Sequence, residues 1–174
     1  MPLCRRFCFD HSLCADCWQG LVFITLPFCQ CFGRPLAYAI GDHLCRSCFA
    51  KVPSLAESRS CFLYSDRSQQ LILKFKHGDA LHLTPLFARF LQAHFTALAE
   101  PGHLILPVQL HAKQYLHRRF NQSAELAHLL CQQNGSGIFA PEALTRPEAG
   151  PTQAGLSRSQ RQRNLAGAFA VPQD

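Results

Sequence analysis

The chain has 174 residues, of which 48% are apolar and 16% are charged, a balance that supports a hydrophobic core and excludes a disordered chain. This length excludes a large multidomain enzyme and suits either one domain or a small module joined to a modest one. Lys and Arg number 17 against 11 Asp and Glu, so the net charge of +6 favours anionic partners without identifying one.

Cysteines dominate the first part of the chain: eight of the ten lie within the first 48 residues, in closely spaced pairs. The opening 20 residues lack the sustained apolar core of a secretory signal. The longest apolar run, residues 21–28, is far shorter than a membrane span. The sequence therefore predicts a cytoplasmic, reduced protein without a membrane span, in which paired cysteines bind metal rather than form disulfides.

Two cysteines on a tight turn supply half of a tetrahedral zinc site, and two such turns complete one. Eight candidate ligands therefore predict two structural zinc ions, which fold a segment that has little core of its own. A cross-braced pairing fits the same spacings, and the alternative to metal is that some cysteines are small buried apolar residues. The expected ligand sets are Cys4, Cys8, Cys14 and Cys17 for one ion and Cys29, Cys31, Cys45 and Cys48 for the other. Cys61 and Cys131 have no close partner, and we expect both to be buried.

After a turn-rich segment at residues 53–60, apolar residues recur at helical spacing. One helix is predicted to begin near Ser65 or Asp66 and to stop at Gly78. A second is predicted to be capped by Thr84 and to end before Pro101. The apolar faces of these two helices are expected to line a core.

The second half of the chain predicts a strand, loop and helix in that order. Residues 104–108 form a short continuous apolar run, which is typical of a buried strand. A basic loop at residues 109–120 follows, and Asn121 is expected to cap a helix that ends near Gln133. Further along, Ser157 and Gln160 match a capping box that opens an arginine-rich helix, and residues 168–171 match the start of another strand.

An ordered set of motifs in this half resembles the ComF family of bacterial phosphoribosyltransferase-like proteins. The resemblance implies an N-terminal zinc-ribbon-like module followed by a type I phosphoribosyltransferase-like, Rossmann-like α/β domain. We place these at residues 1–53 and 61–174. The motifs are Leu106-Pro107-Val108-Gln109-Leu110-His111, Arg118-Arg119-Phe120-Asn121-Gln122, Thr152-Gln153 with Gly155-Leu156-Ser157, and then Arg161, Asn164 and Phe169.

The resemblance also implies a function. Members bind 5-phosphoribosyl 1-pyrophosphate with magnesium, and competence members handle incoming single-stranded DNA in the cytoplasm during natural transformation. In this chain Arg118 and Arg119 are expected to face phosphate, and Asn121 with Gln122 to fix the loop and the helix start. Arg161 and Asn164 are then expected to order a segment over the ligand, although no residue is an evident catalytic base.

Three departures from the family pattern bear on that expectation. Arg119 stands where the family usually has a flexible glycine. Phe32 occupies the second cysteine position of a Cys-x2-Cys-Gly-x-Pro motif, and Cys31 lies one residue early. The family's acidic pair followed by Thr-Thr-Gly, which binds the ribose and the 5-phosphate, is not found after Phe169. We therefore expect a truncated or partial phosphoribosyltransferase domain with incomplete catalysis.

Two other functions compete with this one. A zinc-dependent adaptor would bind single-stranded DNA or a competence helicase without catalysis, since phosphate contacts by basic residues dominate nonspecific binding. A redox sensor that loses zinc on oxidation would need exposed thiolates of low pKa, and this is the weakest of the three interpretations.

Overall fold

The computed structural model describes residues 13–38, 43–51, 53–78, 80–148, 150, 153 and 155–172. The chain divides into two compact units, Met1–Leu98 and Ala99–Asp174. Short helices and a small parallel sheet make up the described elements, so the structure has the mixed helix and sheet content that was expected. The domain limits 1–53 and 61–174 stay a prediction. Within the described residues, no helix has both the length and the apolarity that a membrane crossing requires.

Two five-residue helices in the first unit each follow a cysteine. Helix α1 spans Ala15–Gln19 after Cys14, and α2 spans Arg46–Ala50 after Cys45. Because a helix turn brings residues i and i+3 to the same side, the second cysteine of each pair points toward the first. The two predicted Cys-x2-Cys turns are therefore helix starts.

Two longer helices carry the core of the first unit. Helix α3 spans Asp66–His77, which confirms the predicted start near Ser65 or Asp66, and Ser65 with Ser68 forms its capping box. Helix α4 spans Thr84–Leu98. The predicted capping role of Thr84 is wrong, because a 3₁₀ turn at Leu81–Leu83 runs directly into α4 and the Thr84 hydroxyl donates back to the Leu81 carbonyl over 2.7 Å.

Aromatic rings connect these helices to the cysteine-rich segment of the same unit. The rings of Phe75 and Phe87 stack with centroids 4.6 Å apart. Phe90 makes an edge contact with Phe87 and another with Phe23, whose ring also contacts Trp18. The expectation that α3 and α4 line a core is confirmed.

The second unit is built on a parallel pair of strands joined through two helices. Strand β1 is Leu104–Ile105 and β2 is Ile138–Phe139, with Leu104 opposite Ile138. The chain between them forms α5, Ala112–Arg118, and α6, Gln122–Asn134. As predicted, Asn121 caps α6 through its side chain, and Gly135 ends the helix in the left-handed conformation at φ 60°.

Two expectations about this segment are wrong. The predicted basic loop at 109–120 contains helix α5, which begins where the His111 ring nitrogen Nδ1 accepts from the Lys113 backbone N–H. The predicted buried strand at 104–108 is two residues long, and Leu104, Leu106 and Val108 are 57%, 43% and 65% exposed. These three alternate residues lie on one face of an extended segment, and no described element covers that face.

The final helix, α7, spans Arg158–Leu165 and opens with the predicted capping box of Ser157 and Gln160. Beyond it, the predicted strand at 168–171 is reduced to a single antiparallel bridge, in which Ala170 exchanges two backbone hydrogen bonds with Thr145.

Candidate metal centre and candidate phosphate site

Three cysteine sulfurs meet in the interior of the first unit. The Sγ atoms of Cys29, Cys45 and Cys48 all lie within 4.8 Å of one another. Their residues are 0%, 5% and 1% exposed. The Cys45 backbone N–H donates to the Cys29 sulfur over 3.3 Å, which orients that sulfur toward the other two.

The sulfur separations fit a tetrahedral zinc ion. Zinc–sulfur bonds of about 2.3 Å in a tetrahedron place sulfurs about 3.8 Å apart. The Cys48 sulfur lies 3.7 Å from that of Cys29 and 3.6 Å from that of Cys45. Three soft thiolate ligands with this spacing suit zinc and can hold one ion.

Electrostatics favour metal over free thiolates at this cluster. The backbone N–H of Cys48 lowers the pKa of Cys45, whereas burial raises the pKa of Cys48. Burial therefore opposes ionisation of the Cys48 thiol unless a cation is present. A bound zinc ion would supply that charge and displace the remaining protons.

None of the other predicted zinc ligands belongs to this three-sulfur cluster among the described residues. Cys31 is half-buried and packs against the three-sulfur cluster without being one of its sulfurs. Cys14 and Cys17 lie together at the start of α1, and Cys17 is buried. Their expected partners, Cys4 and Cys8, lie outside the described residues. None of the described cysteines is in a disulfide.

The two isolated cysteines are half-buried rather than fully buried. Burial raises the pKa of the Cys61 thiol to about 11 and raises that of Cys131 as well. Both thiols are therefore protonated near neutral pH and poorly reactive, in keeping with a packing role.

The second unit contains a cavity of about 730 Å³ beyond the carboxyl ends of both strands. One wall follows β1 and includes Gln109, and the facing wall follows β2 and includes Pro141 and Arg146. The Gln109 side-chain amide donates to the Pro141 carbonyl over 2.6 Å and ties the two walls together. In parallel sheets this edge is where ligands bind.

Arg146 is the cationic side chain that lines this cavity. Its guanidinium lies over the Phe169 ring, 5.8 Å from the centroid, and its Nε is buried without a hydrogen-bond partner among the described residues. The guanidinium carries a permanent positive charge, which suits an anionic ligand in this cavity. Two carboxylates, Glu125 and Glu142, and the His128 ring line the same space.

Of the six residues predicted to bind phosphate, only Asn121 lines this cavity. Its side chain is buried, accepts from the Ser123 N–H over 3.0 Å and donates to the Val108 carbonyl over 3.1 Å. It therefore joins the segment after β1 to the start of α6. Any contact of Asn121 with ligand stays a prediction.

The other five predicted phosphate residues are not among those that line the cavity. Gln122 is buried in the first turn of α6, Arg118 is half-buried at the end of α5, and Arg119, which follows it, is exposed. On α7, Arg161 is exposed and Asn164 is half-buried. A Cβ placed on Gly150 would lie 3.2 Å from Arg146 Nη2 and 4.0 Å from Asn164 Oδ1, so these two side chains adjoin the same glycine.

Sequence reasoning missed Arg146, His128, Glu125 and Glu142. Arg146 was detectable in principle, because it follows β2 as the basic loop follows β1, and both carboxyl ends meet at one edge of a parallel sheet. The two-residue length of β2 at Ile138–Phe139 removed the apolar run that would have marked that strand.

Comparisons with known proteins bear on the zinc-binding segment and on the family. Residues 2–49 match the family model described as a double zinc ribbon domain. Competence protein F of Haemophilus influenzae is 28% identical over 169 residues, which cover 92% of this chain and 70% of that protein. Competence protein ComFC of Bacillus subtilis is 26% identical over 130 residues, which cover 71% of this chain and about half (51%) of that protein. No solved structure matches the chain significantly.

The cysteine cluster and the family match define a protein with an N-terminal double zinc ribbon, and the described elements add a small parallel sheet with helices. Together with the two competence-protein relatives, they support a ComF-family protein. The resemblance that the motifs predicted is confirmed.

Proposed function

We propose that this chain has a competence-related function in DNA uptake, and that its second unit binds a phosphate-bearing ligand, 5-phosphoribosyl 1-pyrophosphate with magnesium, in the cavity beyond β1 and β2. The competence-related part rests on the names of the two relatives. The ligand class rests on one observation above all, the Arg146 guanidinium in the cavity wall.

The chemistry of the lining suits a magnesium-bound phosphate. An arginine fork binds phosphate oxygens through charge-assisted hydrogen bonds. Glu125 and Glu142 add carboxylate oxygens, which are the ligands magnesium takes together with substrate phosphates. Magnesium neutralises part of the charge on the phosphates, so two carboxylates in the lining are compatible with an anionic ligand.

The predicted basic residues have a supporting role in this proposal. Arg118, Arg119 and Arg161 attract the ligand by long-range electrostatics, whereas Asn121 and Gln122 hold the cavity wall in place. Asn164, next to Arg146 at Gly150, helps to position the segment beyond β2. The proposal assigns ligand binding to this chain and leaves group transfer aside.

Calorimetric titration of the zinc-loaded chain with the ribosyl donor and magnesium tests the proposal. A guanidinium–phosphate hydrogen bond contributes about 1.5–3 kcal/mol, so Arg146→Ala should weaken binding by at least about 10-fold. Arg163→Ala, which removes an exposed arginine from α7, is the matched control and should change affinity less than about 2-fold. Absence of heat from folded wild-type protein, or equal effects of the two variants, contradicts the proposal.

A second candidate function, the zinc-dependent adaptor, is favoured by α7. This helix carries three exposed arginines and no acidic residue: Arg158, Arg161 and Arg163. Such a surface suits a nucleic-acid backbone, and a competence helicase is the protein partner that this function implies. Affinity for a single-stranded oligonucleotide should fall steeply with salt, and replacing all three arginines by alanine should reduce the salt slope by about 2. A slope that does not change would exclude α7 as the contact.

A further inference from the structure

The turn that begins at Cys29 has a phenylalanine at the position where a Cys-x2-Cys turn has its second cysteine. In the turn that begins at Cys45, the second cysteine is three residues further on, at Cys48, and the sulfurs of these two residues are 3.6 Å apart. Counting three residues from Cys29 leads to Phe32, which is 39% exposed. The turn around it is closed by hydrogen bonds from the Gly33 N–H to the Cys29 carbonyl, 2.7 Å, and from the Cys29 N–H to the Arg34 carbonyl, 2.8 Å.

Backbone contacts on both sides fix the register of this turn. The Gln30 N–H donates to the His43 carbonyl over 3.0 Å, and the Gln30 carbonyl accepts from the Ser58 N–H over 3.2 Å. These two bonds hold Gln30 between two other segments of the same unit. The turn therefore cannot slide along the chain without losing both.

Gly33 blocks a slip more directly. Its φ is +62°, which disfavours any residue with a side chain, and an added Cβ would lie 2.8 Å from the Ser58 carbonyl oxygen. A one-residue slip that brought Cys31 to the position of Phe32 would move the Phe32 backbone into this left-handed, crowded place. Cys31 is thus held one residue away from the ligand position, in agreement with its sulfur lying outside the cluster of three.

We propose that Cys29, Cys45 and Cys48 supply the three thiolates that the described residues bring to the buried centre, and that Cys31 is not a ligand. The fourth coordination position then takes an exchangeable monodentate ligand of solvent origin, water or a small thiol. Closed structural sites use four protein ligands, whereas a zinc ion with three keeps an open position. Cys31, Leu36 and Leu44 pack against the cluster, and Cys31 is half-buried.

The experiment uses the whole chain with cobalt in place of zinc, because thiolate–cobalt charge-transfer absorption reports the number of bound thiolates. Cys31→Ser should keep the metal content and the charge-transfer intensity of the wild type. Cys29→Ser, the matched control on the same turn, should lose one ion. Phe32→Cys restores the three-residue spacing and should raise the intensity of that ion by about a third, from three thiolates to four.

Two further measurements complete the test. Phe32→Cys should slow release of that zinc ion to a chelator by at least about 10-fold, as expected for a closed site. Adding a small monodentate thiol should change the cobalt spectrum of the wild type and leave that of Phe32→Cys unchanged. Loss of metal or of charge-transfer intensity in Cys31→Ser would overturn the proposal. A wild-type spectrum that is insensitive to thiol would also overturn it, because the fourth position would then be occupied by the protein.

Discussion

Replacing Arg119 by glycine should stabilise the second unit, although it removes a charged side chain. Arg119 follows α5 in the left-handed conformation, at φ 64° and ψ −9°, and its N–H donates to the Tyr115 carbonyl over 2.7 Å. This conformation costs a residue with a Cβ about 1–2 kcal/mol. Glycine avoids that cost but loses about 0.5–1 kcal/mol more backbone entropy on folding. The expected net gain for Arg119→Gly is therefore about 0.5–1 kcal/mol.

Urea unfolding of the zinc-loaded chain, followed by circular dichroism, measures this change as a shift of the midpoint at constant slope. Leu116→Gly is the matched control, because Leu116 lies in the right-handed part of the same helix and is 78% exposed. That control should lose roughly 0.7–1 kcal/mol. The two glycine variants should thus move the midpoint in opposite directions. If Arg119→Gly destabilised the chain as much as the control does, the left-handed conformation assigned to Arg119 would be refuted.

Three further predictions concern stability. Asn121→Ala removes the cap from Ser123 N–H and the bond to the Val108 carbonyl, and should cost about 2–3 kcal/mol in the same urea assay; a cost below about 0.5 kcal/mol would refute the two-bond role. Gly33→Ala places a Cβ against the backbone at positive φ. The variant should have a lower unfolding midpoint and should release zinc to a chelator faster than the wild type. An unchanged rate of zinc release would show that this turn does not support the metal centre. Burial raises the pKa of Cys61 from 9.0 to about 11. The thiol therefore loses its proton at lower pH in the unfolded chain than in the folded one, and the free energy of unfolding should fall as pH rises from about 9 to 11. Cys61→Ala should flatten this decline, and an equally steep decline in the variant would contradict the prediction.

The sequence predicts best where local chemistry determines the structure. Ser65 and Ser157 cap helices because their hydroxyls accept from backbone N–H groups three residues further on. This spacing can be recognised from the amino-acid sequence alone. The Cys45 and Cys48 pair is equally local, since a single helical turn brings the two sulfurs together. The N-terminal zinc ribbon could be predicted for this reason.

Prediction fails where the structure depends on residues that are distant in sequence or on unusual local partners. Helix α5 was missed because histidine is an uncommon cap, and His111 serves as one here. The Arg146 guanidinium belongs to the candidate site only because β2 pairs with β1. The exclusion of Cys31 from the sulfur cluster depends on Gly33 lying against the backbone at Ser58, a contact that no spacing rule contains.

The central claim is that cysteine thiolates bind zinc and thereby hold the first unit in its fold. Mass spectrometry of the intact chain under non-denaturing conditions tests it most directly, with circular dichroism on the same samples. The account predicts zinc bound to the folded wild type, and loss of both zinc and ordered structure on chelation or in Cys48→Ser. A chain that is metal-free and still folded would contradict it.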